Sequence, residues 1–179
     1  MTNRLITKMA DNIMRSIKLE KINLNLGVGS PGDKLENAVK LLKTITGEKP
    51  VKTVGKKRIP TWGVRPNLEI ACRVTVRGKK AEEVLKRLFT SVKNTIAASK
   101  FDDQGNFAFG IPEYLSIPGM EYDTKIGIIG LEVAVTLQRP GFRIKRRKLK
   151  KTKVPQKHNI TKEEAIEFVK QKFSATIAA

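Results

Sequence analysis

Between residues 19 and 26, Ile22, Leu24 and Leu26 interleave with Lys21, Asn23 and Asn25. This is the period of a strand with one face in a core. After a glycine turn, Leu35, Ala38, Val39, Leu42 and Ile45 fall on one helical stripe. Asp33 and Glu36 are spaced as a capping box there, and Gly47 marks the stop. Residues 49–54 read as a short strand. Residues 55–67, punctuated by Pro60, Gly63 and Pro66, read as a projecting loop. Alternation returns in Leu68, Ile70, Cys72, Val74 and Val76, and a long helix follows with Ala81, Val84, Leu85, Leu88, Val92 and Ile96 on its stripe. Two more strands are predicted over 106–111 and 129–137, separated by an irregular loop with Pro112 and Pro118. A last helix starts at Thr161, with Glu164 three residues on and Ile166, Val169 and Phe173 turned inward.

The pattern specifies an α+β fold: a mainly antiparallel sheet with helices packed on one face and the other face open. On the strand alternation, the open face carries Lys21, Asn23, Asn25, Arg73, Thr75, Arg77, Glu132, Thr136 and Gln138. The chain has 179 residues, enough for one domain over its full length with a real core, and no internal repeat is evident.

Composition says what such a face meets. Thirty-six Lys and Arg against 17 Asp and Glu leave a net charge of +19, which calls for a polyanionic partner, nucleic acid first. The charge is concentrated. Lys49, Lys52, Lys56, Lys57, Arg58 and Arg65 surround Trp62 in a stretch without acids, and cations with one exposed indole suit RNA phosphates and bases. Residues 139–157 hold ten cations and no acid: Arg139, Arg143, Lys145, Arg146, Arg147, Lys148, Lys150, Lys151, Lys153 and Lys157. Such density repels itself without phosphate or counterions, and the interspersed Phe142, Ile144, Leu149 and Val154 predict a segment lying on something.

Other chemistries find little support. Gly27, Gly29 and Gly32 form a literal G-x-G-x-x-G between strand and helix. However, Pro31 removes a donor, and the next strand offers Lys52 where a dinucleotide site needs a carboxylate. A nucleotide-binding enzyme built on residues 27–32 is therefore the weaker alternative, and a general basic RNA chaperone is the other. His158 has no acid partner nearby, Cys72 lies on the apolar side of its strand, and no soft-ligand set for a metal is present, so we expect neither enzyme activity nor a cofactor. Pro140, Gly141 and Pro155 interrupt any basic amphipathic helix for a membrane surface. The N-terminal charges Arg4, Lys8, Asp11, Arg15 and Lys18 exclude an unbroken signal-peptide core, and a cytoplasmic location is expected.

Several motifs together resemble the large-subunit ribosomal protein L-five family, in its archaeal and eukaryotic-like branch. They are Lys21-Ile22-Asn23-Leu24-Asn25-Leu26-Gly27-Val28-Gly29, Thr46-Gly47-Glu48-Lys49-Pro50, Val74-Thr75-Val76-Arg77-Gly78, Gly105-Asn106-Phe107 with Gly110-Ile111, and Arg139-Pro140-Gly141-Phe142. The resemblance covers nearly the whole chain. It implies a structural protein whose sheet face and glycine turn bind 5S rRNA in the central protuberance, beside large-subunit rRNA and other proteins of that region. The 5S rRNA contacts would be Lys21, Asn23, Asn25, Gly27, Gly29, Lys49, Arg73, Thr75 and Arg77. Asn25 and Thr75 match family contact positions. Glu48 stands where the family has glutamine, and since a carboxylate cannot donate at neutral pH, Lys49 is left as the donor there. By the same resemblance, Lys56, Lys57, Arg58, Ile59, Pro60, Thr61, Trp62 and Arg65 would reach P-site tRNA. Residues 112–123 would face small-subunit protein S-thirteen in an intersubunit bridge, and the basic segment from Arg139 to Lys151 would contact rRNA.

Overall fold

The computed structural model describes residues 12–178; the segment bearing Arg4, Lys8 and Asp11 lies outside them. The alternating segments become strands β1 (Lys18–Gly27), β2 (Val51–Val54), β3 (Glu69–Val76), β5 (Phe107–Ile111) and β6 (Leu131–Gln138). They pair in the order β2-β3-β1-β6-β5, every pairing antiparallel. Helices α1 (Asp33–Thr46) and α2 (Gly78–Ser91) cover one face, and α3 (Lys162–Phe173) packs at its end. The core that results runs from Ile22 on β1 to Ala175 beyond α3.

The polar alternation has a direct physical outcome. Ile22, Leu24, Leu26, Cys72, Val74, Val76, Val133 and Val135 are at most 3% exposed, whereas Asn25, Arg73, Thr75, Arg77 and Glu132 on the opposite face are open. Burial pushes the Cys72 thiol up to about 11. At pH 8 about a thousandth of it is thiolate, so labelling by Ellman's reagent should run ~100-fold slower in the native protein than in urea. Equal rates would show that the β3 packing is open.

Three local expectations are corrected. The long helix ends at Ser91, because Lys93 and Asn94 take left-handed φ values of 53° and 54°. Ile96 instead lies in β4 (Thr95–Ala97), which pairs in parallel with β7 (Thr176–Ala178). Asp33 does not cap α1: Gly32 is the N-cap, without a side-chain bond, and Glu36 binds Lys52 Nζ at 2.6 Å, which lowers its pKa. Leu41, rather than half-buried Val39, completes the α1 stripe. The capping box at Thr161 and Glu164 does form, with Ala165 buried more deeply than Ile166.

Gly105 explains the turn ahead of β5. Its φ is +76°, and a Cβ there would lie 2.5 Å from Ile160 Cγ2, so only glycine lets the entrance to α3 close on the sheet.

Candidate nucleic-acid interface

β1 lies at the centre of the open face. Asn23 is opposite Thr75 and Asn25 opposite Arg73 on one side; on the other, Lys21 faces Thr136 and Asn25 faces Glu132. Thr75 Oγ1 donates to Asn23 Oδ1 at 2.8 Å, which fixes the amide's orientation and leaves its NH2 as a donor. Arg73 is exposed and takes part in no ion pair among the described residues. Thus Lys21, Asn23, Asn25, Gly27, Arg73, Thr75 and Arg77 share one surface.

Two grooves run over this surface. One, of about 750 Å³, lies over β1, β6 and β5 and is lined by Asn23, Asn25, Ser99, Lys100, Ala108, Gly110, Glu132 and Ala134. The other, of about 540 Å³, continues past Asn25 to Gly27, Pro112 and Gly130. The floor is low because Ala108, Gly110 and Ala134 carry little or no side chain, which lets a sugar-phosphate backbone approach the sheet. Sequence reading missed these three, since a small residue on a polar face gives no periodic signal. It also missed Lys100, a lone cation on the turn Ala98–Lys100 before β5.

The turn after β1 is already used. The N–H groups of Val28 and Gly29 both donate to Ile70 O, at 3.0 and 2.8 Å, so they do not form a phosphate cradle. The strand after α1 pairs antiparallel with β3 and is not adjacent to β1, unlike a dinucleotide-binding unit. Gly29, with φ +85°, belongs to the tight turn that follows β1. Lys49 is exposed just ahead of β2, and its neighbour Glu48 binds Lys80 at 2.8 Å, which raises the Lys80 pKa.

Residues 55–67 are more ordered than an irregular loop. Ile59 and Val64 exchange backbone hydrogen bonds of 2.9 and 3.1 Å around the turn Pro60–Trp62, and Asn67 N–H returns to Gly55 O at 2.9 Å. Gly55 permits this closure, because a Cβ would lie 2.8 Å from Arg65 O. Val64 packs inward, while Lys56, Lys57, Arg58, Thr61 and Arg65 are exposed and Trp62 stands 74% exposed at the tip. Ile59 and Pro60 shape this small hairpin.

The basic segment divides into two kinds of residue. Arg139 is only 3% exposed. Its guanidinium binds Glu164 at 2.7 Å and the carbonyls of His158 and Asn159 at 3.3 and 3.0 Å, so it anchors the segment and does not present a surface cation. Burial pushes the Glu164 carboxyl up, but the Thr161 N–H and Arg139 outweigh it and hold the group below its ordinary value. His158 shares this structural role, with Nε2 2.9 Å from Pro140 O and its ring edge-on to Phe142. Arg143, Lys145, Arg147, Lys148, Lys150 and Lys151 are exposed, Lys145 lying over the Phe142 ring. Arg146 turns back to Glu20 and Gln138 at the sheet's end.

Among the described residues no cluster of His, Cys, Asp and Glu has the makings of a metal site, and no helix is long and apolar enough to cross a membrane. Comparison with known proteins finds matches along most of the chain. The model of ribosomal protein L5 matches residues 12–65, and that of the ribosomal L5P family C-terminus matches 69–168. The large ribosomal subunit protein uL5 of Sulfurisphaera tokodaii is 50% identical over 167 residues, 93% of this chain and 94% of its own. That of Nanoarchaeum equitans is 50% identical over 165 residues, 92% and 97% of the two chains, and that of Methanococcus maripaludis 44% over 167, 92% of each. These relatives are ribosomal proteins, not enzymes. With matches spanning both halves of its length, the chain belongs to the ribosomal protein uL5 family of the large ribosomal subunit.

Proposed function

We propose that this large-subunit protein binds 5S rRNA through the open sheet face and helps to attach it in the central protuberance, next to large-subunit rRNA and neighbouring ribosomal proteins. The observation that carries the reading is the groove floored by Ala108, Gly110 and Ala134 between Asn23, Asn25, Lys100 and Glu132, on a sheet whose other face is covered by helices. Asn23 and Asn25 supply donors for phosphate or base edges. Glu132 accepts from a 2′-hydroxyl or a base amino group, and Arg73 and Lys21 neutralise phosphates. The hydrogen-bonded hairpin at 55–67 suits a reach to P-site tRNA, its exposed Trp62 stacking while Lys57 and Arg58 hold the backbone. Residues 112–123, with Tyr122 58% exposed, suit a protein contact such as S-thirteen on the small-subunit head.

Binding of the purified protein to 5S rRNA, against an unrelated structured RNA of equal length over a salt series, tests the reading. A preference that persists as salt rises supports a shaped site, whereas equal binding that vanishes with salt leaves a general RNA chaperone. Arg73→Ala should weaken binding and reduce the salt slope by about 0.7–0.9, the share of one phosphate contact. Asn25→Ala should cost about 1 kcal/mol against 5S rRNA and little against the unrelated RNA. If both variants bind like the parent, the sheet face is not the RNA site.

A further inference from the structure

Glu20 is out of character for a surface that meets a polyanion. It occupies a bulge in β1, between Leu19, paired with Leu137, and Lys21, paired with Thr136, and the residue is only 9% exposed. Its Oε1 accepts from Arg146 Nη1 and, at 3.4 Å, from Arg77 Nη1. Arg146 Nη2 donates in turn to Gln138 Oε1 at 3.0 Å. One buried oxygen therefore gathers an arginine from the N-cap of α2 and one from the basic segment, at the end of the open face.

Neither arginine is used up by this arrangement. Their side chains remain 56% and 44% exposed, and a guanidinium has five donors, of which Glu20 and Gln138 take one or two. Two cations held this close repel each other unless a carboxylate lies between them, and a planar fork held in place loses less freedom when it meets phosphate.

We propose that Glu20 is a positioning residue for RNA binding: it sets Arg77 and Arg146 side by side as a phosphate clamp and ties the basic segment in register with the sheet. This rests on the reading of the open face as the RNA site. The sign of one substitution separates positioning from charge alone. Removing an acid from a cationic surface should strengthen binding to a polyanion if only net charge counts; a positioning role requires the opposite.

The test compares Glu20→Gln, Arg146→Gln and the double variant with the parent in two measurements. The first is affinity for 5S rRNA at moderate salt. The second is the rate of tryptic cleavage after Lys148, Lys150 and Lys151 in the free protein, with the thermal midpoint as a folding control. Glu20→Gln should bind about fivefold more weakly despite its extra positive charge. Both single variants should be cut several-fold faster in the basic segment, and the double variant should be little worse than Arg146→Gln alone. Glu20→Gln binding as well as or better than the parent, with unchanged cleavage, overturns the proposal. Should the parent show no preference for 5S rRNA, the RNA reading fails, and the cleavage rates still decide whether Glu20 holds the segment. If Glu20→Gln melts early, Arg146→Gln carries the cleavage test on a half-exposed site.

Discussion

Replacing Phe89 by alanine will lower the unfolding free energy by about 3–5 kcal/mol, as truncation of a buried aromatic at a crowded site does. Phe89 is 1% exposed on α2, and its ring meets Phe109 at 5.5 Å, Phe107 at 6.2 Å and Phe173 at 5.4 Å. Phe107 and Phe109 belong to β5, the edge strand, and Phe173 ends α3. One side chain therefore joins the central helix layer to the sheet edge and to the C-terminal helix. Its loss leaves a cavity that three elements border. Urea unfolding followed by circular dichroism should show the whole loss in the midpoint, equivalent to a fall of roughly 10 °C in melting temperature. Phe89→Leu, which keeps most of the volume, should cost less than about 1.5 kcal/mol. A loss that small for the alanine variant would mean that α2, β5 and α3 do not meet at this ring.

That cluster also marks what the sequence discloses. Phe107 and Phe109 are legible as inward residues because alternation on a half-buried strand leaves a period of two. The same rule places Asn23, Asn25, Arg73 and Thr75 on the other face, where they stand. The stripe from Ala81 to Leu88 is equally plain, but spacing alone continues it through Val92 to Ile96, and nothing in the pattern reveals that Lys93 and Asn94 turn left-handed. Strands as short as β4 and β7 exist because they pair with each other across the sequence, so their three residues carry no signal of their own.

The site divides along the same line. Its polar groups are legible, whereas its floor is not, since Ala108, Gly110 and Ala134 matter for the side chain they lack. Charge counting likewise treats Arg139, Arg146 and Arg147 as equals, although the first is buried against Glu164, the second holds Glu20, and the third is exposed. Which cation is spent inside the fold depends on acids distant in the chain, and that pairing is a property of the folded state.

The floor is where the RNA reading is most exposed to refutation. Ala134 on β6 lies between Asn23 of β1 and Ala108 of β5, with its side chain on the open face, so Ala134→Trp would stand in the middle of the groove. Tryptophan is well tolerated on an exposed strand, and the melting temperature should stay near that of the parent. Affinity for 5S rRNA should fall about a hundredfold, or about 2.7 kcal/mol. The control is Gln171→Trp. Gln171 is exposed on α3 and outside the grooves, and its change should leave affinity within about twofold. Salt separates this steric effect from an electrostatic one: the Ala134→Trp deficit should persist as salt rises, whereas the Arg73→Ala deficit should shrink. If Ala134→Trp binds like the parent at every salt concentration, RNA does not enter the groove. The affinity of this +19 chain would then reside in the hairpin at 55–67 and the exposed cations of the basic segment.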